Sequence, residues 1–364
     1  MIMFASLFIV PLVLASYTLS AIQHPTSFTS LASCVSKGAS VKYIFEEDDS
    51  SEFILSLEKG VVIGEGAVVT IDGNILTDTE VYKKDPAHLL QAHRDISKEN
   101  VIMFPGTLAV LSSSGQQCYY HWLLQIIPRL KILKESQLPY DKIYVHANNF
   151  KYHWQKDALY TVMDYLDIAR DMLLCVEHDT PVEADTLLVP SVPWIPSKAK
   201  FPRAWYKQFF HDAFVQQKEK SPAHIFISRS KAQYRHISNE TALMNLLNTK
   251  GFTSYCLEDL SISEQAHIFN NAKVIIGPHG AGWTNLIFCK PGTNIIEIDH
   301  GLKGNEQRSS FKGMSRLLGC FYHPFYTDLL EPTDCPENIL DPINQDMTVD
   351  ITAFEQFLEQ WAIQ

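Results

Sequence analysis

Residues 277–293 read GPHGAGWTNLIFCKPGT, with four glycines, a histidine, a helix-like apolar run and a Pro-Gly stop. The stretch follows the apolar run KVIIG (273–277), so the turn falls at a strand end with a helix starting behind it. A helix start offers backbone N–H groups that lack intrahelical acceptors, together with the positive end of the helix dipole. Glycines at 277, 280 and 282 let a bulky anion reach the backbone. The N–H groups of Gly280, Ala281 and Gly282 are the donors, and His279 adds another beside them. This chemistry suits a phosphate or diphosphate. The plainer alternative is a tight turn with His279 as a satisfied core histidine. Neither GxGxxG nor GxxxxGK[ST] is present, so neither standard nucleotide fingerprint applies.

Two neighbouring runs bring further chemistry to the same sheet edge. HIFISRS (224–230) delivers Ser228 and Arg229, with Arg235 in the loop beyond, and arginine matches phosphate in a bidentate fork. NIIEID (294–299) delivers Glu297, a carboxylate suited to a ribose hydroxyl pair. A structural ion pair is the competing reading of Arg229 and Glu297. Thr284 and Asn285 orient the glycine loop or touch the ligand.

Strands must alternate with helices to bring these groups together. From 224 onward the pattern does so: strand HIFISRS, helix 238–251, strand FTSYCLE, helix 261–272 with a Ser261/Glu264 capping box, strand KVIIG, helix AGWTNLIFC and strand NIIEID. Such βαβ units predict a parallel, Rossmann-like sheet. In the first half, short strands over 41–82 and TLAVLSS (107–113) precede an amphipathic helix, 119–136, that Pro128 should kink or restart. KIYVHA (142–147), a helix over 154–167, MLLCVE and TLLVPSV follow. The fold class is α/β. The proline-rich run 192–202 is the candidate linker. The expected units are an apolar segment 1–22, an N-terminal domain 40–200, a C-terminal domain 215–330, and a tail with a helix, 331–364.

The bounds on function come from composition. With 364 residues, 46% hydrophobic and 20% charged, there is chain enough for two globular domains. The formal net charge of −11 argues against a nucleic-acid partner, which needs a basic face. Seven widely spaced cysteines without a CxxC pair give no zinc site and leave one disulfide open. Residues 1–22 carry no charge and read as a signal or membrane anchor, although a basic n-region is missing and Pro11 interrupts the run. A buried helix or a mis-assigned start is the other reading. The first implies a membrane-associated or secretory location, the second a cytoplasmic one.

Three blocks resemble glycosyltransferase family 61: YYHWLLQIIPRL (119–130), FISRSKAQYRHISNE (226–240) and VIIGPHGAGWTNLIFCKPGTNIIEI (274–298), in the family's order and spacing. The resemblance covers roughly residues 60 to 325. It implies a GT-B architecture, two Rossmann-like domains facing across a cleft. It also implies inverting, metal-independent transfer from a nucleotide sugar, with UDP the expected carrier, to a glycan or protein hydroxyl. The donor would sit on the C-terminal domain, and the acceptor near His121, Trp122, Gln125 and Arg129. One departure stands out: Gln125 occupies a position where the family usually has Asp. An amide takes no proton at neutral pH, so His121, one turn earlier on the same face, becomes the candidate base. Core packing is the other reading of His121 and Trp122, and a cap or surface charge that of Arg129.

The implied transfer needs a base for the acceptor proton and charge stabilisation for the departing diphosphate. The second task falls to Arg229, Arg235, His279 and the glycine-turn N–H groups. The resemblance implies that no cofactor or metal is needed, and the lack of a DxD pair with metal spacing is consistent with that. Two other functions compete: a non-catalytic member that binds nucleotide sugar or glycan, which Gln125 favours, and an unrelated Rossmann oxidoreductase, which the missing fingerprint disfavours.

Overall fold

A computed structural model describes residues 27–44, 52–69, 74–76, 101–177, 180–193, 204–215, 221–300, 309–327 and 344–360. The apolar segment 1–22, the strand expected beyond residue 76 and most of the candidate linker lie outside the described residues. The described residues form two sheets.

The first contains β1 (Ser27–Thr29), β2 (Ser40–Ile44), β3 (Glu52–Glu58), β4 (Val61–Ile63), β5 (Ala67–Val69), β6 (Asn74–Leu76), β7 (Ile102–Val110), β8 (Lys142–His146), β9 (Leu173–Val176) and β10 (Val182–Pro190). Its order is β1-β6-β5-β4-β10-β7-β8-β9, with β3 also on β10 and β2 on β3. β10, β7, β8 and β9 run parallel, while β3 and β4 join β10 antiparallel. The second sheet holds β11 (His224–Ser228), β12 (Thr253–Cys256), β13 (Val274–Pro278), β14 (Asn294–Asp299) and β15 (Phe321–Tyr326), all parallel, in the order β12-β11-β13-β14-β15. The run VIIGP of β13 is buried throughout, as expected of a strand covered on both faces.

The helices are α1 (Leu31–Ser36), α2 (Tyr119–His121), α3 (Arg129–Ser136), α4 (His153–Tyr165), α5 (Ala204–Phe214), α6 (Glu240–Thr249), α7 (Ile262–Asn271), α8 (Ser309–Leu317) and α9 (Ile351–Gln360). The helix expected over 119–136 is split as Pro128 requires. α2 widens into a π turn, Trp122–Ile126, in which the Ile127 N–H reaches Trp122 O five residues back at 3.0 Å. The chain restarts at Arg129 with Pro128 as the cap. At α7 the capping box forms as expected, Ser261 Oγ accepting from the Glu264 N–H and the Glu264 carboxylate from the Ser261 N–H. The helix expected after the glycine turn differs: Ala281–Phe288 is a 3-10 helix. β15 has no counterpart in the sequence reading, because FYHPFY breaks the apolar pattern with His323 and Pro324. An edge strand tolerates that proline.

One apolar cluster runs through both sheets, from Ile54, Ala109 and Ile143 to Ile225, Ile275 and Ile295. α5 sits within it, and Phe210 and Phe214 place their ring centroids 6.2 and 5.9 Å from Phe288. The two halves are also tied by polar bonds. Asp157 Oδ2 on α4 accepts the Ile262 N–H at 2.7 Å, capping α7 from the other half. Among the described residues the six cysteines are free thiols.

The C-terminal segment closes over α6. Ser238 N–H donates to Met347 O, and Asn239 makes two amide bonds to Val349, Nδ2 to its carbonyl at 2.8 Å and Oδ1 from its N–H at 3.0 Å. Asn239 begins a glycosylation sequon, Asn-Glu-Thr. In the fold both ends of its amide are taken.

Candidate active site

The second sheet has the 2-1-3-4-5 order of a doubly wound fold, with β11 first and β12 second. The strand order reverses between β11 and β13, and ligands enter such sheets beyond the carboxyl ends of the strands at that point. Here the two strand ends deliver Ser228 and Arg229 on one side, and Pro278, His279 and Gly280 on the other.

The three turn glycines make room for protein atoms. A Cβ on Gly280 would overlap Arg229 Nη1, one on Gly277 would lie 3.0 Å from Ile227 Cβ, and one on Gly282 2.9 Å from Leu257 Cδ1. Gly280 seats a guanidinium, and the guanidinium presents the positive charge. The first bond of the 3-10 segment is Trp283 N–H to Gly280 O at 3.1 Å, so the N–H groups of Ala281 and Gly282 precede the ladder.

Arg229 and Arg235 converge on Tyr234. Arg229 donates Nη2 and Nε to Tyr234 O at 2.9 and 3.3 Å. The two guanidinium carbons lie 5.7 and 4.8 Å from the Tyr234 ring centroid. Burial, and next the charge of Arg235, lower the Arg229 pKa to about 10. Positive charge is therefore held at a cost there, which an anion would relieve. Arg235 has a left-handed backbone, φ 63°, and its buried Nε has no acceptor among the described residues. The following residue is pinned: Asp346 Oδ1 accepts the His236 N–H at 2.7 Å and lies 2.9 Å from Nδ1.

Other expected residues are placed differently. Glu297, expected to take a ribose pair, is 1% exposed with both oxygens engaged. His279 Nδ1 donates to Oε1 at 2.6 Å, and the Tyr322 hydroxyl donates to Oε2. Glu297 therefore orients the His279 ring and does not face the pocket. Burial, followed by the Glu297 charge, raises the Tyr322 pKa, so its hydroxyl keeps the proton. Ser228 Oγ is spent on Glu240 Oε1, 2.6 Å, and on the Ser230 N–H, 3.1 Å. Thr284 and Asn285 are fully buried. The Asn285 amide donates to Gln265 Oε1 at 2.8 Å and to Gly282 O at 3.1 Å, while its Oδ1 accepts the Tyr119 hydroxyl at 2.9 Å. Asn285 thus orients the turn and ties it to α2.

On the first-half side, His121 Nδ1 pairs with Gln125 Oε1 across one turn, and Gln125 is buried. Burial lowers the His121 pKa, opposed by the Gln125 bond, so the imidazole is neutral at pH 7. Trp122 is core, its indole N–H donating to Gln155 O at 3.1 Å. Arg129, expected beside the acceptor, is 1% exposed and donates to Leu111 O, Ser112 O and Pro190 O. It knits α3 to the ends of β7 and β10, a structural role in place of the expected one. Aromatic contacts link the two imidazoles: Tyr120 packs on His121 and on Phe311, and Phe311 on His279.

An open pocket of roughly 600 Å³, solvent-facing space included, lies between the halves. Ser228, Arg229, Ala281 and Gly282 line it as expected. Tyr119, Trp154, Glu258 and Gln265 join them from elements the sequence reading did not bring together. Glu258 had a usable signal, a carboxylate just past the carboxyl end of a parallel strand. Tyr119 and Trp154 had none beyond aromatic content.

An α/β protein with two arginines beside the switch point of a doubly wound sheet carries positive charge where such sheets take their ligands. Residues 119–296 match the family model described as Glycosyltransferase 61, and we identify this segment as a glycosyltransferase 61 domain. The chain is similar to the EGF domain-specific O-linked N-acetylglucosamine transferase of Gallus gallus, 31% identical over 103 residues, 27% of this chain and 18% of that protein. It is similar to the xylan glycosyltransferase MUCI21 of Arabidopsis thaliana, 34% identical over 96 residues, 25% of this chain and 19% of that one. A beta-1,2-xylosyltransferase of the same plant is 32% identical over 87 residues, 23% of this chain and 16% of that one. These matches span less than a fifth of each relative's length.

Proposed function

We propose that the chain transfers a sugar from a nucleoside diphosphate donor, UDP by preference, to a hydroxyl of a glycan or protein. The transfer inverts the anomeric centre and needs no metal. The single observation that carries this is the Arg229–Arg235 pair beside the switch point, two like charges crowded on Tyr234 with the Arg235 Nε lacking an acceptor among the described residues. Relatives named for N-acetylglucosamine and for xylose transfer support a UDP-linked donor. The overall arrangement we assign is GT-B, with residues 40–200 on the acceptor side and 215–330 on the donor side. Residues 1–22 would serve as signal or anchor in a secretory compartment. Among the described residues no helix is long and apolar enough to cross a membrane.

In the reaction the acceptor oxygen attacks the anomeric carbon as the bond from that carbon to the diphosphate oxygen breaks. Arg229, Arg235, His279 and the Ala281 and Gly282 N–H groups stabilise the charge that develops on the leaving diphosphate. His121, neutral by burial, takes the acceptor proton. The buried Gln125, an amide where relatives usually carry Asp, favours a second reading in which the chain binds donor or glycan without turnover.

The test is UDP release from a panel of UDP-sugars and acceptors in EDTA, with thermal stabilisation by the same ligands. The proposal expects stabilisation and UDP release in the wild type and neither in Arg229→Ala. Stabilisation without release supports the binding-only reading. No stabilisation by any nucleotide or acceptor glycan sinks both.

A further inference from the structure

The donor-site reading above leaves the ribose without a partner, because Glu297 is enclosed by His279 and Tyr322. Resting on that reading, we propose that Glu258 takes the hydroxyl pair of a ribonucleotide, so that the site selects ribonucleoside over deoxyribonucleoside diphosphates.

Position carries the argument first. In dinucleotide-binding doubly wound sheets an acidic residue about 20 residues beyond the phosphate turn, on the neighbouring strand, reads the ribose, and the same place in this sheet is open to a carboxylate. β12 is the second strand here, paired in parallel with β11. Glu258 lies two residues beyond its end at Cys256, and it lines the same pocket as Arg229, Ala281 and Gly282. It is exposed, unlike Glu297. Its Oε2 accepts the Cys256 thiol at 3.2 Å, and Oε1 has no donor among the described residues.

Charge carries it second. Glu258 shares the pocket with Arg229, yet no ion pair joins them. A carboxylate left beside a phosphate-binding guanidinium would repel a bare diphosphate. Its charge supports the Arg229 cation from a distance, and a ligand that brings hydroxyl donors along with its phosphates turns the same carboxylate into an acceptor. A ribonucleoside diphosphate does so, its vicinal 2′- and 3′-hydroxyls donating to one carboxylate while the phosphates lie on the arginines. A hydrogen bond to a charged group contributes roughly a 10- to 100-fold change in affinity.

The experiment is calorimetric titration of the full chain and of Glu258→Ala with UDP, GDP, their 2′-deoxy counterparts and inorganic pyrophosphate. The wild type should bind the ribonucleotide about tenfold or more tightly than its deoxy form. Glu258→Ala should lose that preference while binding pyrophosphate as well as before or better, since a repelling charge is gone. That retained pyrophosphate affinity also shows the variant folded. If the variant keeps the ribose preference, the assignment of Glu258 is overturned and the donor site stands. If pyrophosphate binds and no nucleotide binds more tightly, the ribose assignment is overturned and only an anion site remains. If nothing binds the wild type, the donor-site reading falls and this one with it.

Discussion

Arg235→Gly separates a residue kept for a ligand from one kept for the fold. The side chain sits on a left-handed backbone, φ 63°, which costs a non-glycine residue about 1–2 kcal/mol. Its buried Nε lacks an acceptor, a penalty of about 1–3 kcal/mol when desolvation is complete. Its charge also opposes that of Arg229. Against these stand the stacking on Tyr234, worth about 0.5–1 kcal/mol, and the backbone freedom that glycine adds to the unfolded chain, about 0.4–1 kcal/mol. The balance predicts a variant as stable as the wild type or more stable, by up to about 4 kcal/mol where the Nε penalty is complete. Diphosphate binding should move the other way. Loss of one charge-assisted donor removes about 1.5–3 kcal/mol, or roughly 10- to 150-fold in affinity. Urea denaturation gives the first quantity from the midpoint at constant slope, and calorimetry with pyrophosphate gives the second. A variant that loses more than about 1 kcal/mol of stability while holding pyrophosphate unchanged would refute the reasoning. Arg235 would then be a structural residue whose strain serves the loop alone.

Three further outcomes follow from the same geometry. Gly280→Ala puts a methyl group where the Arg229 guanidinium lies, so UDP affinity by calorimetry should fall at least roughly tenfold with little loss in thermal midpoint. Arg129→Ala should lose at least about 3 kcal/mol of stability by denaturation, because three buried carbonyls lose their donor. An acceptor-binding arginine would instead lose activity at unchanged stability. For His121, burial holds the folded pKa below 6.5, so the unfolded state binds the proton more readily. Its contribution to stability is full above pH 6.5 and is lost as pH falls through the folded pKa. If His121 is the base, the acid limb of kcat/KM lies below pH 6.5, and Gln125→Asp moves it upward by placing a carboxylate on the ring. A limb that stays put removes His121 from proton transfer.

How much of this was legible depended on whether the deciding contact was local. The capping box at Ser261 and the restart at Pro128 are properties of a few consecutive residues, and both formed as read. The alternation of strands and helices from 224 to 299 gave the parallel sheet, and with it Arg229 at a strand end. Glu297 shows the limit. Its strand position was right, but the turn histidine and a tyrosine from the next strand enclose it, and no periodicity encodes that meeting. Arg129 was misjudged for the same reason, since its three carbonyl partners lie 17, 18 and 61 residues away. The segment after the glycine turn winds as a 3-10 helix because Trp283 and Asn285 bond back to Pro278, Gly280 and Gly282, a local competition that apolar spacing does not report.

In a secretory compartment the Asn239 amide would set an order of events during synthesis. Its partner Val349 lies 110 residues downstream, so in a glycosylating compartment the sequon would pass the glycosylation machinery well before the C-terminal segment exists. A sugar attached to Nδ2 would occupy the atom that bonds Val349 O and leave that segment undocked. The carbohydrate and the closing segment are therefore rivals for one nitrogen. Each molecule would record on Asn239 which of them arrived first.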